Sequence, residues 1–323
     1  MDRRAFWAAG RLVVLLGAAV VVALLAVRFS GAALPFAIGD PGELVRWGTP
    51  VASSLRNLLA AATVGCLVLA VGILPRKVTA KGRSRSDAEV DGRAYPAALT
   101  LAGGFAVAWT LVSVLHLAFT YARAGRTRLD DPGFGEQLVH FATEVTLGRS
   151  LLATVIVAAL VSVLALAVAT PTGAAWTLAL AVSAFAFQAS TGHASQNSSH
   201  ELALSSMFLH LLGAGVWVGA LLGLALLAGR LGRDAAPAVR RFSSLAGWCL
   251  LAVGVSGLVS AILRVGDLSQ VTSRYGLLVL AKIALLAALG ALGLAHRTLV
   301  IRRVEEPARV RSADGEKAGT RLP

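Results

Sequence analysis

Eight stretches of the chain are apolar over roughly a bilayer's width, with no Asp or Glu in their middles. They are Leu12–Phe36, Val51–Leu74, Ala97–Thr120, Leu151–Thr170, Ala174–Ser190, Leu202–Ala228, Ser243–Val265 and Leu277–Val300. About 20 apolar residues, rising 1.5 Å each, match a hydrocarbon core about 30 Å thick. The pattern predicts an all-α protein, a polytopic transmembrane helical bundle of about eight spans. The fifth stretch is the shortest, and Pro171-Thr172-Gly173 supplies the tight turn that separates it from the fourth. The first begins after Met1-Asp2-Arg3-Arg4 and runs longer than a signal-peptide core, so it reads as an uncleaved anchor.

The polar segments between the spans alternate in charge. Arg3, Arg4 and Arg11, the loop Arg76–Arg93, the group Arg230, Arg233, Arg240 and Arg241, and the tail from Arg297 together hold most of the 30 basic residues. Placing these on the cytoplasmic side gives an N-in, C-in topology. Residues 1–303 read as one transmembrane domain with no internal repeat. Residues 304–323 are charged, lack an apolar period and read as a disordered cytoplasmic tail or shortened linker.

Composition narrows the class further. Of 323 residues, 56% are hydrophobic and 15% charged, against about 25% charged in a soluble domain. Two cysteines exclude a disulfide scaffold. A net charge of +13 would point to nucleic acid in a soluble chain. Here the basic residues are scattered topological anchors without interleaved aromatics, which excludes that partner and leaves the lipid bilayer. There is no phosphate-binding loop, no phosphorylation motif of a P-type pump, no Cys-Pro-Cys and no catalytic triad arrangement. Span interiors lack carboxylates, which disfavours a buried acidic proton relay. No reaction class is supported, so the chain is expected not to be an enzyme.

The candidate chemistry is a histidine and methionine cluster. His193, His200, Met207 and His210 fall within 18 residues, around the loop before the sixth span and its first turns. Ser198-x-x-Glu201 is a capping-box pattern that predicts a helix start near Ser198. At 100° per residue, His200 at 0° puts Met207 at about −20° and His210 at about −80°, on one stripe. His200 and His210 are then about 15 Å apart along the axis, which predicts an outer site and a deeper one at Met207 and His210. Imidazole and thioether together suit copper, as Cu(I) or Cu(II). His116, near the outer end of the third span, and His140, in the following outer loop, are further candidate ligands. Cys66 and Cys249 stand alone in separate spans and read as small buried residues. Gly215, Gly219 and Gly223 form a small-residue stripe that predicts close approach of another helix. Arg56 and Lys282 are expected to snorkel toward the membrane surface.

Three segments resemble the CopD/PcoD copper resistance family. They are HLLGAGVWVG at His210–Gly219, Arg241-Phe242-Ser243 with Ala246 and Ser256-Gly257, and the helix from Tyr275-Gly276 through Lys282 to His296-Arg297. The likeness is strongest over residues 191–303. Pro41-Gly42 with Arg46-Trp47-Gly48, and Thr191-Gly192-His193-Ala194, are similar to the actinobacterial form, which is fused to a CtaG-like cytochrome c oxidase assembly domain. His296 stands where the family has Asn, so no role transfers there, and the family continues with a further span beyond the basic loop. The resemblance implies a multi-pass protein of the bacterial inner membrane that handles copper, with a CopC-like periplasmic copper carrier as partner. Copper import through the His/Met site is the leading expectation. A non-transporting copper-binding module for oxidase assembly is the second, and a haem protein ligated by His116 and His210 the third.

Overall fold

The computed structural model describes residues 3–31, 33–75, 93–191, 200–265 and 274–296. Among them every regular element is helical. The helices are α1 (Arg3–Ser30), α2 (Glu43–Val68), α3 (Ala94–Gly125), α4 (Phe134–Glu144), α5 (Thr146–Ala167), α6 (Pro171–Ser190), α7 (His200–Leu227), α8 (Ala235–Val265) and α9 (Arg274–His296). Seven of these, α2, α3 and α5 through α9, are long and apolar enough to cross a membrane. The first predicted crossing, Leu12–Phe36, overlaps α1, a 28-residue helix that ends at Ser30, and of it Val20–Ser30 is found as a shorter apolar helix among the described residues. This is an all-α polytopic bundle, as the apolar runs predict.

α2 is the central element: 72% of its apolar window is buried, and α3, α7, α6 and α1 pack around it. α5 lies on α3 and α6, α6 on α7, and α8 on α7, while α9 packs chiefly on α8 among the described residues. The core between α2, α3 and α7 is built from Val64, Leu67, Leu69, Trp109 and Leu227, all nearly free of exposure. Outward, the bundle shows large apolar side chains such as Trp176, Trp248, Val163 and Leu166. A soluble protein does not tolerate so much contiguous apolar surface, whereas lipid solvates it.

The glycine stripe sets the crossing of α2 and α7. A methyl added at Gly219 would overlap the carbonyl oxygen of Ala61, and one at Gly65 would overlap the backbone of Gly219. The two backbones are therefore in direct contact, and any larger side chain would force them apart. At its far end α2 passes into a π-helical turn, Leu69–Ile73, and Arg241 Nη1 donates to the Ile73 carbonyl at 3.0 Å. That bond satisfies a helix-terminal acceptor and fixes α8 against α2.

Local sequence explains the connections. Thr170 caps α6 by accepting from the Gly173 N–H at 3.2 Å, with Pro171 in the first turn, so the expected tight turn is present. Gly42 precedes α2 with φ 95°, a conformation that favours glycine. Arg46 pairs with Asp40, and its Nε donates to the Ala33 carbonyl at 3.1 Å, strapping the segment after α1 to the first turn of α2.

One element was not foreseen. α4 is an amphipathic helix in the connection between α3 and α5, with Phe134, Leu138 and Phe141 at i, i+4 and i+7 packed on Tyr121, Leu117 and Leu151. Its 11 residues are too few to span a membrane and suit an interfacial position. The predicted capping box at Ser198, the tail 304–323 and the Arg76–Arg93 loop apart from Arg93 lie outside the described residues.

Candidate functional site

A cavity of about 260 Å³ opens between four helices at the end of the bundle that the charge bias assigns to the outside. α2 contributes Ser53, Arg56 and Asn57, α6 contributes Gln188, α7 contributes Met207 and α8 contributes Ser260. The polar positions follow from helical spacing. Ser53 and Asn57 are one turn apart on α2, and Gln188 is in the last turn of α6. Asn57 is the hub: its Oδ1 accepts from Gln188 Nε2 at 2.9 Å and from Arg56 Nη2 and Nε at 3.3 and 3.4 Å.

From this cavity a polar seam descends between α7 and α8. Ser260, on the cavity wall, shares a hydrogen bond with Ser206 at 3.1 Å. Ser206 Oγ donates to the Ser256 carbonyl at 2.8 Å, and Ser256 Oγ meets His210 Nδ1 at 3.2 Å. Ser206 and His210 are one turn apart on α7, as Ser256 and Ser260 are on α8, so the two pairs form a ladder. Gly257 leaves room for the imidazole, whose Cε1 lies 3.5 Å from where a Cβ would stand. Lys282 on α9 is within electrostatic reach of His210, and its side chain is exposed, consistent with snorkelling.

The predicted ligands are distributed as follows. Met207 lines the cavity and His210 ends the seam, so the deeper pair lies beside and below one cavity, facing different neighbours. His200 opens α7, and His193 lies outside the described residues. His140 is exposed on the polar face of α4. His116 is buried on α3, with Nε2 3.5 Å from Thr120 Oγ1 and Nδ1 lacking a well-formed hydrogen bond beside the Thr49 backbone. Among the described residues no group of three or more His, Cys, Asp or Glu is placed to hold a metal ion. His116 and His210 look onto different helices, which gives the bis-histidine haem arrangement no support.

Arg56 departs from expectation. It does not snorkel; it is 5% exposed, and its head group is turned to Asn57 on the cavity wall. Sequence reasoning also missed the serine ladder and Gln188. The signal available was polar residues recurring every fourth position inside apolar helices: Ser53 with Asn57, Ser206 with His210, and Ser256 with Ser260.

Comparison with known proteins bears on this geometry. No curated protein and no solved structure matches the chain. Residues 46–203 match the family model described as copper resistance protein D-like, N-terminal domain, and residues 236–323 match copper resistance protein D. The matched regions are wider than the 191–303 stretch in which the resemblance was strongest. They include Arg56, Asn57, Gln188, Ser256 and Ser260, while Met207 and His210 lie between them. The chain is a multi-pass membrane protein that belongs to the copper resistance protein D family.

Proposed function

We propose that the chain carries copper across the bacterial inner membrane, inward from the periplasmic side, through the Met207 cavity and the seam that leads to His210. The observation that carries this reading is the join between them. A thioether lines an open cavity, and a hydrogen-bonded ladder runs from the cavity wall to an imidazole inside the helix packing. Thioether and imidazole are ligands that Cu(I) accepts at low coordination number. His193 and His200, just before and at the start of α7, would receive copper from a CopC-like periplasmic carrier, with His116 and His140 as secondary ligands. No phosphate-binding loop is present in the sequence, so the driving force would be the ion gradient and the membrane potential. An inward-moving single positive charge gains about 2.3 kcal/mol per 100 mV.

The test is copper accumulation in cells that express wild type or His210→Ala at equal levels. The variant is expected to lose several-fold of the protein-dependent accumulation. Equal accumulation overturns the path. Purified protein in liposomes separates transport from an oxidase-assembly role, in which copper is bound without flux and a CtaG-like domain is the recipient.

A further inference from the structure

The cavity carries a charge that the copper reading does not use. Arg56 is buried in a membrane-spanning helix, and a guanidinium stays protonated there. Of its five N–H groups, Nε and one on Nη2 go to Asn57 Oδ1. The other three make no hydrogen bond among the described residues, and no described carboxylate pairs with it. Asn57 is neutral, and its accepting oxygen is already shared with Gln188. A buried, uncompensated cation is strongly disfavoured unless something neutralises it, and intramembrane charges commonly mark a ligand path.

The surroundings say what would neutralise it. Neutral hydrogen-bonding groups line the cavity with Arg56, Ser53 on the same helix and Gln188 and Ser260 on α6 and α8, and among the described residues no acidic side chain lies on its wall. A cavity of about 260 Å³ holds several water-sized groups and so accepts a small organic molecule. The guanidinium fork matches a carboxylate through two parallel N–H···O bonds. A bare copper cation would meet Arg56 as a like charge beside Met207.

We propose that the cavity is a binding site for a small carboxylate-bearing molecule, held by Arg56 with Gln188, Ser53 and Ser260. Resting on the copper reading above, the same site then takes copper as a carboxylate complex, so the ligand's negative charge cancels the repulsion from Arg56. Met207 stands on the same wall to accept the metal as the carboxylate lets go.

Equilibrium binding of radiolabelled citrate and acetate to the purified full chain in nanodiscs tests the site. Wild type is expected to bind at least one of them saturably. Arg56→Gln should weaken that binding tenfold or more, with partial recovery in Arg56→Lys. Gln188→Glu places a carboxylate on the atom cluster that Arg56 already touches. It should abolish binding while raising the thermal midpoint, a pair of opposite effects that a merely structural Gln188 would not give. If Arg56→Gln does not fold, Gln188→Glu decides alone. No saturable binding of either anion by wild type, equal affinity in Arg56→Gln, or displacement by equimolar chloride overturns the proposal. His210→Ala, which alters no cavity-lining residue, should keep citrate binding. Wild-type copper accumulation by His210→Ala, with citrate binding kept, would therefore sink the copper path and leave the carboxylate site standing.

Discussion

At the scale of single residues, charge near the start of α2 and the end of α3 is compensated locally. The Asp40 carboxyl accepts from Arg46 and from the Gly42 N–H at 3.2 Å, and the Arg46 guanidinium holds its pKa below the usual carboxylate range. A carboxyl whose folded pKa is depressed stabilises the fold fully above its unfolded value. That contribution fades as pH falls through the folded value. Asp40→Asn, which keeps an acceptor for Gly42 and removes the charge, is therefore expected to speed hydrogen exchange across 33–46 modestly at pH 7. The difference from wild type should start to shrink below about pH 4. A pH-independent difference would show that the hydrogen bond, and not the charge, does the tethering. Arg56 is the instructive contrast. Its sequence position, near the outer end of an apolar run, looks like that of any snorkelling arginine. Only the rotation of α2 relative to α6 and α7 turns it inward, and that rotation is a tertiary fact with no trace in local hydropathy.

Helices were legible where their pattern is one of length and failed to be where it is one of edges. Each predicted apolar run has a helix, but the bounds differ: α3 runs past its run at both ends, while α1 stops at Ser30, short of Phe36, and α5 at Ala167, short of Thr170. α3 covers Ala94–Gly125, a 32-residue helix of about 48 Å, longer than the hydrocarbon core. Hydropathy marks where water stops, while backbone hydrogen bonding continues into the interface until a turn such as that at Arg126 (φ 51°) ends it. α4 was missed for the opposite reason. Its stripe of Phe134, Leu138 and Phe141 is periodic, but short and interrupted by Glu136 and Gln137, so a search for continuous apolar runs passes over it. The Gly215–Gly219–Gly223 stripe was legible as a contact face, though its partner was not. The structure gives Gly219 and Gly223 to α2, at Ala61, Gly65 and Cys66, while Gly215 packs on Phe185 of α6. Gly219→Ala drives a methyl into backbone that has no flexible end to yield. It should destabilise the protein by about 1–3 kcal/mol, the usual cost of overpacking. Gly104→Ala on α3 meets nothing within 4 Å and should be neutral or stabilising by about 0.5–1 kcal/mol. Thermal midpoints of the two variants in one detergent make the comparison, and equal shifts would mean that the α2–α7 crossing is looser than its backbone contact implies.

For the whole molecule, the orientation in the membrane decides what the cavity faces. Several of the basic residues on the end near the cavity are held by local partners. Arg128 Nε donates to Asp130 at 3.0 Å, Arg46 pairs with Asp40, and Arg123 and Arg126 lie over the Phe36 ring at 5.6 and 5.5 Å. The opposite end carries Arg230, Arg240 and Arg241, and the sequence adds the Arg76–Arg93 loop and the tail from Arg297. The positive-inside bias counts Lys and Arg and sets that second end in the cytoplasm. On the proposed reading the cavity then opens outward, where a copper-loaded carrier would reach it, and the membrane potential would pull a cation along the α7–α8 seam. Single cysteines in a background lacking Cys66 and Cys249, both buried, resolve the question. A cysteine at Arg128 should react with a membrane-impermeant maleimide in intact spheroplasts, and one at Arg230 only after lysis. The reverse pattern would turn the cavity to the cytoplasm. Met207 and Arg56 would then receive their ligands from inside, and the same ladder of Ser260, Ser206, Ser256 and His210 would lead copper outward against the potential, a direction that a carrier without an energy source cannot sustain at equal concentrations.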